Sequence, residues 1–169
     1  RSVSRGLGDV YKRQVKAGCG DCQGCCDCCR DMGSSILLDP YDLFRLTTGL
    51  NRSFDQLLDD KIELNVVDGL ILPNLKMQEK TQACGFLNAQ GRCSIHPLRP
   101  GICRIFPLGR YYEDRSFRYF LQVHECKKEP KTKVKVQKWI DTPQAGRNEQ
   151  FIIDWHYFVR DLSEQLTNA

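Results

Sequence analysis

The clustered cysteines constrain this chain more than any other feature of its sequence. Ten cysteines occur in 169 residues, and six of them fall between Cys19 and Cys29 in the string CGDCQGCCDCC. Thiols at such short spacings can converge on one soft cation from a single turning segment, and the glycines among them tolerate the backbone angles that this needs. The string therefore predicts a metal site with thiolate ligands.

Two ligand patterns overlap in this string. The first is CxxCxxCC, and its cysteines are Cys22, Cys25, Cys28 and Cys29. The second has the C-x2-C-x2-C-x3-C spacing of a bacterial ferredoxin loop, and its cysteines are Cys19, Cys22, Cys25 and Cys29. No second ferredoxin half follows, so this spacing indicates iron-sulfur ligation in general rather than a ferredoxin fold. Cys26 is surplus in both patterns, and we expect it to be a bystander thiol.

A disulfide framework is the main alternative interpretation of an even number of cysteines. Cysteines three residues apart, together with a vicinal pair, cannot all find partners at ordinary Cα separations without strain. A chain of this length can also bury a core without covalent cross-links. The spacing accordingly favours a metal over disulfides.

The overall composition is that of an ordinary globular protein. Hydrophobic residues make up 41% and charged residues 27% of the chain, and the length fits one domain. No apolar run approaches the roughly 18 to 20 residues of a membrane helix, so no membrane partner is expected. Residues 1–14 lack an initiator Met and resemble an adaptor-derived artefact, so we expect the domain to occupy residues 15–169.

The charge balance gives little support to nucleic-acid binding. Without residues 1–14 the formal net charge falls from +4 to +1. The one basic cluster, around KTKVKVQKW, has no interleaved aromatic residues on which bases could stack, and its alternation is typical of an exposed edge strand or helix start. A nucleic acid is therefore not among the expected partners.

Local patterns predict an α+β fold. The predicted elements are a strand at 34–38, a helix from Asp39 to Gly49, a second helix capped by Ser53, a hairpin turning at Asp68–Gly69, a strand at 116–123 and a helix over 148–166. The stretch from Cys84 to Pro107 lacks periodicity and is rich in Gly, Pro and Cys. We expect a small single domain with short helices, a β-hairpin and a Cys-rich loop that a metal stabilises.

Three segments carry a resemblance to a known family: CQGCCDCCR at Cys22 to Arg30, LDPYDLFRLTTGL, and CGFLNAQGRCSIHPLRPGICRIFPLGR at Cys84 to Arg110. With the spacing between them, the chain resembles the YkgJ-type cysteine-cluster proteins, described as a zinc- or iron-chelating domain. The resemblance implies these metal ligands: Cys22, Cys25, Cys28, Cys29, Cys84, Cys93 and Cys103. One branch of the family resembles flagellin lysine N-methylases. A methylase-like enzyme or subunit is thus the alternative function, although no glycine-rich loop suggests a site for S-adenosylmethionine and no catalytic residues are evident.

The number of metal sites stays open at the sequence level. Zinc and four-iron clusters each take four ligands, and nine candidate ligands remain after Cys26 is set aside: Cys19, Cys22, Cys25, Cys28, Cys29, Cys84, Cys93, Cys103 and Cys126. Cys84, Cys93 and Cys103 either complete the N-terminal cluster or, with Cys126, build a second site. His96 and His124 are reserve ligands. We expect Arg99 and Arg104, which flank Cys103, to donate hydrogen bonds to thiolate or sulfide and to offset negative charge.

These features together predict an intracellular, cytoplasmic metal-binding protein that holds zinc or iron, the latter alone or as a 4Fe-4S cluster. The metal either stabilises the loop or serves a redox or iron-handling role. A third alternative is an interaction module in which zinc only presents a surface. The expected partner is the metal ion itself.

Overall fold

The structure, a computed structural model, describes residues 14–18, 20 and 25–168. The helices are α1 Pro40–Leu50, α2 Phe54–Asp60, α3 Gly101–Ile105, α4 Val136–Ile140 and α5 Ala145–Thr167. The strands are β1 Gln14–Gly18, β2 Ile62–Val67, β3 Leu70–Leu75, β4 Leu108–Glu113, β5 Ser116–Leu121 and β6 Thr132–Lys135. Short helices and small antiparallel sheets confirm the α+β class.

The described residues divide into two compact units. The cysteine unit contains residues 25–104, with α1, α2, α3 and the β2–β3 sheet. The C-terminal unit contains residues 14–18, 20 and 105–168, with the β1–β6 and β4–β5 sheets and the remaining helices. Each of these three sheets has two strands.

Both predicted helix starts of the cysteine unit are confirmed in atomic detail. The Asp39 carboxylate accepts a hydrogen bond from the Asp42 backbone N–H at 2.7 Å, and the Asp42 carboxylate accepts one from the Asp39 N–H at 3.3 Å. Ser53 and Gln56 form the same reciprocal capping box at the start of α2. These local bonds satisfy N–H groups that a helix leaves without intrahelical acceptors.

The predicted end of α1 at Gly49 is wrong by one residue. The helix continues to Leu50, and Asn51 terminates it in the left-handed conformation at φ 51°. Gly49 lies inside the helix against Leu98, where an added Cβ would come within 2.5 Å of a Leu98 methyl carbon. Glycine at this position therefore allows close packing rather than helix termination.

The hairpin predicted at Asp68–Gly69 is present. Both turn residues have positive φ angles, 49° and 83°, as a type I′ turn requires. The register pairs Ile62 with Leu75, and these two side chains are buried. On the same face nearer the turn, Val66 pairs with Ile71, and they are 73% and 69% exposed. The hairpin thus carries an apolar face that is buried at its base and exposed at its tip.

The predicted strand at 34–38 is wrong as a regular strand. Leu37 forms only an isolated bridge with Asn74, flanked by a bond from the Leu38 N–H to the Pro73 carbonyl at 2.9 Å. The chain then turns into the cap of α1 at Asp39, which leaves too few residues for a longer ladder.

A continuous apolar core holds the cysteine unit together and includes one of its cysteines. Its buried members are Ile36, Leu38, Leu46, Leu57, Ile62, Leu75, Met77, Cys84, Phe86 and Ile95. Three further cysteines, partly buried, pack against this core: Cys29, Cys93 and Cys103. The thiols are therefore anchored by the same packing that defines the fold of this unit.

The C-terminal unit has a second hairpin, β4–β5, of which only the second strand was expected from sequence. Asp114 and Arg115 make its turn with φ angles of 51° and 55°. β1 pairs with β6 in antiparallel register, beginning with Gln14 opposite Lys135. Gln14, the last residue of the segment set aside as artefactual, thus takes part in a strand, and residues 1–13 lie outside the described residues. The domain assignment of 15–169 stays a prediction.

The long helix α5 matches the prediction for 148–166 and begins three residues earlier. Ile152 and Tyr157 are buried along it. His156 stacks on Tyr112 with ring centroids 3.5 Å apart and nearly parallel planes, so its ring packs within the C-terminal unit. In the part of the chain that the structure describes, no helix combines the length and apolar character needed to cross a membrane.

Candidate metal centre

Thiols from three separate parts of the chain lie in the core region of the cysteine unit. Cys28 and Cys29 belong to a 3-10 turn, Asp27–Cys29. Cys84 and Cys93 follow the β2–β3 hairpin, and Cys103 lies in α3. The whole cysteine unit keeps its described thiols unbridged: Cys25, Cys26, Cys28, Cys29, Cys84, Cys93 and Cys103. The disulfide alternative therefore receives no support from this unit.

Backbone hydrogen bonds bring these segments together. The Cys84 N–H donates to the Cys29 carbonyl at 2.7 Å, and Arg30 forms an isolated bridge with Ala83. Cys93 forms a similar bridge with Leu87 across a tight turn. Main-chain hydrogen bonds thus fix the backbone at Cys29, Cys84 and Cys93.

The thiols of the core are electrostatic neighbours. Burial is the largest influence on Cys84, Cys93 and Cys103 and raises the pKa of each thiol, because a thiolate loses its hydration there. Negative charge on Cys28 raises all three pKa values further. Cys103 is also influenced by charge on Cys84 and Cys93. Such mutual effects require short separations, so these residues share one region of low dielectric.

Cys28 and Cys29 act as a pair. A hydrogen bond from the Cys29 thiol lowers the pKa of Cys28, and the same bond raises the pKa of Cys29. The two adjacent sulfurs thus share one proton, and this hydrogen bond favours the thiolate form of Cys28. Thiolate is the form that binds metal, so Cys28 is the thiol of this region best prepared to bind.

Three cations surround the thiols, and two of them were not expected from sequence. The positive charges of Arg99 and Arg92 lower the pKa of Cys93, and Lys61 acts in the same direction on Cys84. Lys61 is held in place because its Nζ donates to the Gly85 carbonyl at 2.8 Å. Arg92 stands next to Cys93 in the chain, a signal that sequence inspection could have used. Lys61 offers no such signal, since only the fold brings it near Cys84.

The two arginines predicted to support the centre have different surroundings. The charge of Arg99 lowers the pKa of Cys28 as well as that of Cys93, and its buried Nε has no hydrogen-bond acceptor among the described residues. Arg104 instead donates through Nη2 to the Pro97 carbonyl at 2.8 Å. Arg99 thus has both the position and a spare donor that a thiolate or sulfide would use.

The structure describes only some of the other predicted ligands. Cys19 and Cys22 fall outside the described residues. Cys126 and the exposed His124 belong to the loop between β5 and β6 in the C-terminal unit. His96 begins a 3-10 turn, and its backbone N–H donates to the Cys93 carbonyl at 3.3 Å. The bystander candidate Cys26 accepts a hydrogen bond from Arg30 Nε at 3.4 Å.

The described thiols are neighbours without forming a closed coordination shell. Within residues 14–18, 20 and 25–168, no three His, Cys, Asp or Glu side chains form a group that could hold a metal ion. The donor set nevertheless fits a thiophilic cation, because it consists of soft sulfur ligands beside positively charged side chains.

Comparison with known proteins assigns the chain at the level of a family. No curated protein matches it, and no solved structure does. The profile of the CxxCxxCC family, described as "Putative zinc- or iron-chelating domain", matches residues 21–135. This range covers more than half of the chain and contains every cysteine except Cys19. The chain therefore belongs to the CxxCxxCC family of zinc- or iron-chelating domains.

Proposed function

We propose that the cysteine unit binds a zinc or iron centre through thiolates of both cysteine segments. The proposed ligands are drawn from Cys22, Cys25, Cys28, Cys29, Cys84, Cys93 and Cys103. One observation carries this proposal: cysteines distant in sequence share one core region, in which negative charge on Cys28, Cys84 and Cys93 raises the pKa of both Cys29 and Cys103. Ordinary apolar side chains would be enough to pack this core, whereas a thiophilic metal needs several sulfur ligands at one place.

Electrostatics supports the same proposal. Four thiolates around a divalent cation leave a net negative charge, which is costly in a region where burial already raises thiol pKa values. Arg99, Arg92 and Lys61 supply positive charge that offsets this cost. The buried Arg99 Nε would gain an acceptor from a metal-bound sulfur. A bound zinc ion would fix geometry, and an iron-sulfur cluster would add one-electron transfer.

The metal would order the segment from Cys84 to Pro107. This segment contains only a 3-10 turn and the five-residue α3 as helical structure, and long irregular segments in compact domains are seldom ordered without a ligand or metal. Ligands near both ends of the segment would hold it against the core. A reducing, intracellular compartment, as expected from the sequence, suits a site built from free thiols.

Anaerobic purification with metal and sulfide analysis tests this proposal and separates its two versions. Zinc without visible absorption indicates a structural thiolate site, since zinc has a filled d shell. Iron with equimolar acid-labile sulfide and broad visible absorption indicates an iron-sulfur cluster. A protein that retains no metal, and that binds neither zinc, iron nor cobalt after reduction, would contradict the proposal.

A further inference from the structure

Helix α1 holds the chain just before Cys103 through the side chain of Arg45. Its Nη1 donates to the Arg99 carbonyl at 3.2 Å, and its Nη2 donates to the Pro97 carbonyl at 2.7 Å. One guanidinium therefore bridges two carbonyls on alternate residues. Arginine can do this because its donors form a rigid planar fork, whereas a lysine ammonium is a single point donor.

Asp42 holds the other end of the same segment. Its Oδ1 accepts a hydrogen bond from the Gly101 backbone N–H at 2.8 Å, and its Oδ2 accepts the capping bond from Asp39. The side chain is almost fully buried, with Asp42 only 4% exposed. Gly101 is the first residue of α3, the short helix that carries Cys103.

The two contacts work together because of helix geometry. Asp42 and Arg45 are three residues apart in α1, so their side chains lie on the same face. Together they fix both ends of residues 97–101, a segment that contains Arg99 and ends two residues before Cys103.

We propose that Asp42 and Arg45 are positioning residues of the metal centre, which place Cys103 and Arg99 for binding. This inference rests on the proposed function. Neither residue contacts the metal; each acts through the backbone of residues 97–101. The capping bonds between Asp39 and Asp42 are local, whereas the bond from the Gly101 N–H to Asp42 joins residues that are 59 apart in the chain.

The cost of burying Asp42 favours this role over simple capping. Burial first, and then the charge of Asp39, raise the pKa of Asp42 to about 7, while the bonds from Gly101 and Asp39 act in the opposite direction. A solvent-exposed Glu or Gln at this third helical position would complete the capping box without this penalty. The buried carboxylate makes a second backbone bond that such a residue would not provide.

A double-mutant cycle with Co²⁺ as the probe tests the inference. Cobalt affinity is measured by competition with a chromophoric chelator for wild type, Arg45→Gln, Cys103→Ser and the double variant, and thiolate charge-transfer bands are recorded for each. Asp42→Asn keeps an acceptor for the Gly101 N–H, and Asp42→Leu removes it at similar size. Arg52→Gln is the matched control, because Arg52 bonds to Gln56 and Asp60 and not to residues 97–101.

We expect Arg45→Gln and Asp42→Leu to weaken cobalt binding about tenfold or more, the usual range for residues that orient ligands. Asp42→Asn should retain affinity within about threefold of wild type, and Arg52→Gln should match wild type. The loss from Arg45→Gln should largely disappear in the Cys103→Ser background, where the residue to be positioned is absent.

Equal losses from Arg45→Gln in both backgrounds would overturn the positioning role while leaving the proposed function intact. The same conclusion would follow if Arg45→Gln and Asp42→Leu bound cobalt as wild type does. Failure of wild type to bind cobalt, zinc or iron would instead overturn the proposed function, and this inference with it. Asp42→Asn and Arg45→Gln keep the experiment decisive if Asp42→Leu does not fold.

Discussion

The backbone N–H of Cys84 donates to the carbonyl of Cys29 over 2.7 Å. This bond joins the two cysteine segments directly at residues proposed as ligands. A main-chain hydrogen bond thus holds two of the proposed ligands, Cys29 and Cys84, next to each other. Cys103 is held differently, through the side chains of α1.

Replacing Cys29 and replacing Cys26 should have different effects on the metal content of the protein. Cys29→Ser should lower the bound metal per chain, because Cys29 lies beside Cys28, Cys84 and Cys93. Cys26→Ser should leave the metal content unchanged, since the Cys26 sulfur accepts a bond from exposed Arg30. Metal analysis of the two purified variants checks this. Equal loss from both would show that Cys26 is also a ligand.

Metal binding should release protons. Burial raises the thiol pKa values of Cys84, Cys93 and Cys103, so these groups are protonated in the metal-free protein at neutral pH. Each must lose its proton to bind, and affinity should fall about tenfold per pH unit for each proton released as pH decreases. Calorimetry in buffers of different ionisation enthalpy counts the protons. The test range is about pH 6 to 8, below the ordinary thiol pKa of about 8.5. A metal affinity that does not change over this range would contradict the prediction.

Removing the metal should loosen residues 84–107 more than helices α1 and α5. Hydrogen exchange after chelator treatment should show lost protection in residues 84–107, while the capped helix α1 and α5 are less affected. A metal that binds only the native state stabilises it by about 4 kcal/mol when free metal exceeds Kd a thousandfold. Identical exchange in residues 84–107 with and without metal would contradict a role for these cysteines as ligands.

The stability of the C-terminal unit should depend on pH through His156. Burial, followed by the charge of Arg160, lowers the pKa of His156 below its ordinary value of 6.5. The folded state disfavours the charged ring, so stability is complete above pH 6.5 and is lost as pH falls through the folded pKa.

His156→Phe keeps a ring against Tyr112 and removes this titration. The variant should therefore lose less stability than wild type on going from neutral to mildly acidic pH. Denaturant unfolding of chelator-treated protein measures it without a contribution from metal release. His124→Gln, in the exposed loop after β5, is the control and should behave as wild type. Parallel pH profiles for wild type and His156→Phe would sink the prediction.

Two glycines in helices should respond oppositely to alanine. Gly49→Ala places a Cβ about 2.5 Å from a Leu98 methyl, and the resulting displacement should outweigh the gain in helix propensity by about 1 kcal/mol. Gly146 in α5 has no other atom within 4 Å of the corresponding Cβ position, so Gly146→Ala should stabilise by roughly 0.5 kcal/mol. Thermal unfolding of both variants shows whether each substitution raises or lowers stability. A stabilised Gly49→Ala variant would contradict the prediction, because it would show that Leu98 moves aside without an energetic cost.

Sequence patterns predicted those elements whose determinants are local. The caps at Asp39 and Ser53 and the Asp68–Gly69 turn each depend on a few adjacent residues, and all three are present. The β4–β5 hairpin was half missed because its turn uses Asp114 and Arg115 rather than a glycine. The pairing of β1 with β6 joins opposite ends of the chain, and no local pattern encodes such a partner.

The residues of the candidate site were likewise predicted from sequence only where a local pattern marks them. The cysteines themselves are visible in the sequence, and so is Arg99, whose charge acts on two of them. The neighbourhood of Lys61 with Cys84 and the bond from Gly101 to Asp42 arise only when α1, the hairpin and the loop pack on one core. Residues that support a site from a distance in sequence carry no spacing signal.

The exposed Val66–Ile71 pair at the hairpin tip would make the solubility of the protein depend on its bound metal. Each sheet of the described chain has only two strands, and two-stranded hairpins are marginally stable without packing. The chain at 36–38 bonds to β3 at Pro73, Asn74 and Leu75, near the base of the hairpin and away from its tip. An apolar tip beside an open edge is a template for aggregation once its base loosens. We therefore expect protein depleted of metal to aggregate more readily than metal-bound protein.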